Sequence, residues 1–327
     1  MDNIPAQQAS CQVQVTAYCS FCYKYTKCCW CVPRGSASTQ TGKNHEFSLT
    51  KFLETKELAD VEIVVDCDHF PDTRRSFKAH RMILALQSEV FRAMLYGDFD
   101  KEERVVITDL HPQGVLGLLL YFYSGQLQVE SGLQAAYTCS AAVKYLVPEL
   151  AEKCVDYAKR RMTTLDVCPV IDYLLIAGED NHPILDKAID LLHQDSLSVL
   201  STNTLESCSE ETVHWILDVA ARVPEICVLR AVFAWAQVQC LRRADNGEDV
   251  NVRKVMQPLF PKLRFLALTE KEFASGPNKW DILDDHEARA LFSNIADRGS
   301  MPLPEGFCDI DQPRGLMIPN MYANCTE

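Results

Sequence analysis

The sequence predicts an α+β domain followed by an all-α domain, and three observations carry that expectation. Short β-branched runs, Val61-Glu62-Ile63-Val64-Val65 and Arg104 to Ile107, lie early in the chain. Between them, Phe77 to Phe99 repeats apolar residues every three or four positions, the helical period. Past Thr163 the apolar pattern is helical throughout, with no strand between successive stripes. Strands first and helices afterwards is the α+β order.

The elements follow in turn. Phe47, Leu49, Phe52 and Leu53 predict a short amphipathic helix ahead of strand 61–65. A polar turn with Pro71 leads to a second strand around Ser76-Phe77. Met82, Ile83, Leu86, Val90, Phe91, Met94 and Leu95 then form the stripe of a buried helical hairpin. Ser88 caps its second helix, Glu89 suits that helix's positive end, and Gly97 ends it. After strand 104–107, Pro112 opens a helix that Gly125 closes. An Ala-rich helix runs from Leu133 to Leu146, and Pro148 starts another through Met162. Further stripes follow: Val170 to Leu175, Ile184 to Leu192, Val213 to Ala220 with Ser209 as cap, and Leu229 to Ala236. Thr269-x-x-Glu272 is a capping box, and Asp284 precedes a last helix through Ile295. The resulting division is 1–45 as a disordered Cys-rich extension and linker, 46–162 as the α+β domain, 163–297 as the helical domain, and 298–327 as an irregular, disordered tail.

Composition narrows the function. A 47% hydrophobic content over 327 residues is enough for a sizeable core. The net charge of −13 argues against general binding of nucleic acid or anionic lipid. The densest apolar run, Gly117 to Tyr123, is far too short to span a bilayer, and MDNIPAQQAS lacks the pattern of a signal peptide. Of the fifteen cysteines, the nine from Cys67 onward lack framework spacing and read as reduced, buried thiols of a cytoplasmic protein, with the nucleus also open.

Residues 1–44 stand apart, with Lys24, Lys27, Arg34 and Lys43 against Asp2. Cys19, Cys22, Cys28 and Cys31 have the number of thiols for a zinc site, and the basic and aromatic surroundings suit palmitoylation. The adjacent Cys28-Cys29 and the missing long loop favour a variable extension instead, so no metal is expected. No phosphate-binding G-x-x-x-x-G-K, H-E-x-x-H or G-x-S-x-G motif is present. The histidines do not cluster, and His80 reads as an internally bonded core residue. The 159–161 Lys-Arg-Arg run reads as a solvated helix face. Neither an enzyme nor a cofactor is expected.

Several motifs resemble one family. Leu58-Ala59-Asp60-Val61, Phe77-x-Ala79-His80-Arg81, Ser88-x-x-Phe91-x-x-Met94-Leu95 and Tyr123-Ser124-Gly125 are similar, in order and spacing, to the BTB/POZ domain. Val143 to Leu150 is similar to a subgroup of it. Ala231 to Ala236 and Phe260 to Phe265 resemble the BACK domain, and Thr269 to Ile295 is similar to members that end in a β-rich PHR domain. From Arg298 the Pro- and Gly-rich sequence does not resemble that third domain.

The resemblance implies a homodimer, or a heterodimer with related BTB proteins, with Phe52, Asp60 and Arg81 at the interface. The reading of the residues alone leaves Asp60 and Arg81 open as an ordinary intradomain pair. It also implies that the loop after the hairpin grips a cullin scaffold through Phe99, Asp100 and Glu102. Here Lys101 takes the place of the usual carboxylate, with Glu102 one position late. The function implied is a dimeric adaptor of a cullin-RING ubiquitin ligase without its own substrate-reading domain. A non-ligase scaffold or transcriptional co-regulator is the alternative. A chain with the pairing surface alone would also be expected to form mixed dimers with longer relatives and lower ubiquitination of their substrates.

Overall fold

The computed structural model describes residues 49–70, 73–97, 103–245, 247 and 250–315. The Cys-rich segment, the zinc and palmitoylation candidates within it, and residues 316–327 lie outside the described residues, as do Phe99, Asp100 and Glu102.

A three-stranded sheet organises the first part. Strand β1 (Val61–Val65) is central, with β2 (Arg75–Ala79) antiparallel on one side and β3 (Arg104–Ile107) parallel on the other. As the middle strand, β1 buries Val61, Ile63, Val64 and Val65, which is why it reads as a continuous apolar run rather than an alternating one. Helix α1 (Thr50–Thr55) precedes it and holds Phe52 and Leu53 of the predicted helix, with Leu49 just before its first residue; Phe47 lies outside the described residues.

The hairpin forms as α2 (Arg81–Gln87) and α3 (Glu89–Tyr96). Ser88 caps α3 by accepting the Phe91 amide at 3.2 Å, and the Arg92 Nε clasps the two helices by donating to the Ala85 carbonyl. Gly97 ends α3 as expected, with φ −72° and extended backbone. One expectation is corrected. Only part of the predicted stripe is buried: Ile83, Phe91 and Leu95 are inside, whereas Met82 is 64%, Leu86 68% and Met94 40% exposed.

Helices α4 (Pro112–Ser124), α5 (Gly132–Lys144) and α6 (Pro148–Arg161) pack against this layer. Pro112 and Gly125 bound α4 as expected, Gly125 with φ 68°. The Ala-rich helix stops at Lys144, before Leu146, because Leu146 turns the chain with φ 54°. A glycine of α4 lets the two helices cross closely: a Cβ on Gly114 would lie 2.2 Å from the Tyr137 carbonyl oxygen of α5.

The rest is helical: α7 (Thr164–Ile176), α8 (Leu185–Gln194), α9 (Ser196–Leu200), α10 (Glu210–Val219), α11 (Glu225–Asp245), α12 (Val252–Met256), α13 (Glu270–Ser275) and α14 (Asp285–Ala296). The Ser209 cap and the Thr269–Glu272 and Asp284–Glu287 capping boxes all form. The α+β part and the helical part share one core. Asp166 at the start of α7 joins them: one oxygen accepts the Gly132 amide of α5 at 2.8 Å, the other the Thr163 amide. From Arg298 to Gly315 the chain is irregular, with one antiparallel bridge between Arg314 and Val223.

Candidate functional site

The junction between α1, β1 and α2 is the place to which the sequence assigns its interface residues. His80, at the corner between β2 and α2, ties it together. The Glu57 carbonyl lies 2.8 Å from Nε2 and has only lone pairs to offer, so in the neutral ring Nε2 carries the hydrogen. Nδ1 then accepts from the Tyr123 hydroxyl at 2.7 Å, and that oxygen in turn accepts the His80 amide at 3.0 Å. Burial pushes the Tyr123 phenol up to about 12. His80 is thus the internally bonded histidine that the sequence suggested.

Phe52 stands half-buried with its ring edge-on to His80, centroids 6.1 Å apart. Asp60 and Arg81 meet, but through main-chain groups: the Asp60 carboxylate accepts the Arg81 amide at 2.7 Å, and Arg81 Nε donates to the Asp60 carbonyl at 3.3 Å. Asp60 therefore satisfies a free N–H at the start of α2 from 21 residues away. Asp60 is exposed, so no fully desolvated charge is involved.

These bonds fix the turn between α1 and β1 beside the start of α2. Lys56 and Leu58 both adopt positive φ, 60° and 61°, unusual for residues with a Cβ. The outcome is that Leu58 points outward, 79% exposed. Met82 and Leu86, one turn apart on the outer side of α2, are exposed too. Met94 and Tyr96 on α3 add further uncovered apolar surface. The sequence placed Leu58 in a family motif without signalling its exposure, and put Met82 and Leu86 in the core. The available signal was the unbroken run Met82 to Leu86, since a helix apolar on more than one side needs cover on more than one side.

No cluster of His, Cys, Asp or Glu suited to a metal is found among the described residues. Burial raises the Cys139 thiol to about 12 and the Cys168 thiol to about 11, and lifts Cys154 and Cys208 further. The basic run at 159–161 is exposed in the last turn of α6. No described helix is long and apolar enough to cross a membrane.

The order β1, β2, helical hairpin, β3 and then α4 to α6 coincides with a match to the family model of the BTB/POZ domain over residues 49–161. Residues 49–161 are a BTB/POZ domain. Similarity extends beyond it. The chain is 29% identical over 237 residues to BTB/POZ domain-containing protein 6 of Homo sapiens, covering 72% of this chain and 43% of that protein. It is 30% identical over 248 residues to BTB/POZ domain-containing protein 6-A of Danio rerio, covering 73% and 44%. It is 28% identical over 244 residues to human BTB/POZ domain-containing protein 3, covering 72% and 44%. The chain spans less than half the length of these relatives. BTB/POZ domains commonly mediate protein–protein interaction and dimerisation, and the uncovered face around Leu58, Met82 and Leu86 lies within this one.

Proposed function

We propose that this chain is a dimeric protein-interaction adaptor that pairs through its BTB/POZ domain and serves as a substrate-adaptor-type subunit of a cullin-RING ubiquitin ligase in the cytoplasm. The observation that carries the reading is the apolar face of Leu58, Met82 and Leu86, left exposed beside Asp60 and Arg81. Contiguous apolar surface of this kind is uncommon on monomers, and a second copy would bury it on both partners at once. An interface on the order of 2,000 Å² fits such pairing. In this reading Phe52, Asp60 and Arg81 border the interface, and the helical region is a BACK-type domain that carries the partner-binding parts away from the dimer. Phe99 anchors the cullin, with Asp100 and Glu102 beside it. Lys101, where a carboxylate is usual, favours a second reading as a non-ligase scaffold or transcriptional co-regulator that uses the same dimer.

Two experiments separate these. Sedimentation of the purified chain at micromolar concentration gives a dimer mass, and Met82→Glu with Leu86→Glu gives a monomer that stays folded. A wild-type monomer would sink both readings. Calorimetry against a cullin amino-terminal domain gives binding that Phe99→Ala weakens by more than ~1 kcal/mol, as for a buried aromatic anchor, and that Lys101→Glu strengthens. A dimer that shows no cullin binding leaves the scaffold reading.

A further inference from the structure

Residues 303–315 have no helix or strand apart from the single bridge to Val223, yet they are fixed at two points. The Phe307 ring lies against Phe260 and Phe265, centroids 4.9 and 5.5 Å away. The Arg314 guanidinium is buried opposite Glu225, their side chains 3% and 1% exposed. Its Nε donates to a Glu225 oxygen at 2.8 Å and one terminal nitrogen to the Lys262 carbonyl at 2.6 Å. The other terminal nitrogen donates to the Leu217 carbonyl. Between the anchors, Asp309 to Pro313 are exposed, held by Arg298 to the Asp309 carbonyl and by Arg264 to the Gln312 carbonyl. Beneath them is a cavity of about 320 Å³ bounded by Ala220, Pro261, Cys308 and Pro313.

The receiving groups belong to helix ends rather than to the segment itself. Glu225 opens α11, where free amides and the positive end of the helix favour a carboxylate, and it also accepts the Arg264 amide at 2.9 Å. The Leu217 carbonyl lies in the last turn of α10, among carbonyls that the helix leaves without a partner. A carboxylate and two carbonyls converge on one spot, and a planar guanidinium fork meets all three, which a lysine ammonium cannot do in the same geometry. A buried carboxylate left without its cation is strongly unfavourable, so any occupant must supply one.

We propose that this socket and the Phe260–Phe265 cleft form a peptide-binding groove on the helical region, with residues 303–315 as its ligand in cis. In trans it takes an extended segment of a partner protein that presents an aromatic side chain followed, at the spacing of Phe307 and Arg314, by an arginine. The tethered segment holds the groove at an effective concentration in the millimolar range, so a partner competes with it rather than finding the groove empty.

The probe is a fluorescent peptide with the sequence of residues 303–315, read by anisotropy against the full chain. Wild type binds it weakly, and full-length Arg314→Ala, whose own segment can no longer seat, binds it at least tenfold more tightly. The peptide carrying Arg314→Lys loses at least tenfold. A folded Arg314→Ala chain that does not bind, or that binds both peptides alike, overturns the proposal. So does an Arg314→Ala chain that fails to fold, because the segment is then part of the core. Hydrogen exchange on the wild type supplies an independent reading. Amides of 303–315 exchange through local opening, faster than those of α10 and α11, and exchange only on global unfolding would refute a displaceable ligand.

Discussion

The Ser88 hydroxyl donates to the Tyr145 carbonyl at 2.7 Å while accepting the Phe91 amide at 3.2 Å. One buried oxygen thus caps α3 and joins the hairpin to the turn between α5 and α6. The Phe91 and Tyr145 rings stack above it, centroids 4.2 Å apart and nearly parallel. Removing the hydroxyl by Ser88→Ala loses the cap and strands a carbonyl, together about 2 kcal/mol. Urea denaturation will read this as a lower midpoint at constant slope, and Ser88→Thr should recover part of the loss.

Asp60→Ala should cost only about 1 kcal/mol, the value of a helix cap, and not the 3–5 kcal/mol of a broken buried ion pair. The exposed carboxylate accepting the Arg81 amide is the reason. Asp60→Asn keeps an acceptor in place, and its thermal unfolding should stay close to wild type.

Gly114→Ala ought to destabilise the BTB/POZ domain by about 1–3 kcal/mol, although alanine is the better helix former by ~1 kcal/mol. The new methyl would meet the main-chain oxygen of Tyr137, which cannot rotate away. A stability equal to or above wild type would show that α4 and α5 separate easily.

His111 sits against Tyr137, ring centroids 3.9 Å apart, and Phe70, 5.2 Å, with Arg75 the charged neighbour. Burial and then Arg75 lower it from 6.5 to about 4. The unfolded chain therefore takes up a proton at His111 that the folded chain refuses between pH 6.5 and 4. Stability is lost as pH falls through that window, by up to roughly 3 kcal/mol, and the loss levels off below it. Asn at this position still caps α4 through the Gln113 amide, the bond that His111 Nδ1 now accepts. His111→Asn should remove this share of the pH dependence without removing the helix, leaving the share of His182, which burial likewise lowers to about 4.

Local signals fixed most of the fold in advance. Strands β1 and β3 follow from β-branched runs, α4 from Pro112 and Gly125, and the caps at Ser88, Ser209, Thr269 and Asp284 from side chains that bond amides two or three residues on. Such signals act over a few residues, so they can be read from the order of residues alone. The BTB/POZ motifs were legible for the same reason, since each marks the start or end of an element.

Only the tertiary structure decided which apolar residues are covered. Ile83 and Met82 are neighbours of like hydropathy, and the helical period alone does not say that one faces the core and the other solvent. Nor could spacing place Arg314 on Glu225, 89 residues earlier, or Asp60 at the head of α2. Those contacts arise where elements distant in sequence cross. Their partners are selected by where desolvated carboxylates and unpaired helix ends come to lie once the core has closed.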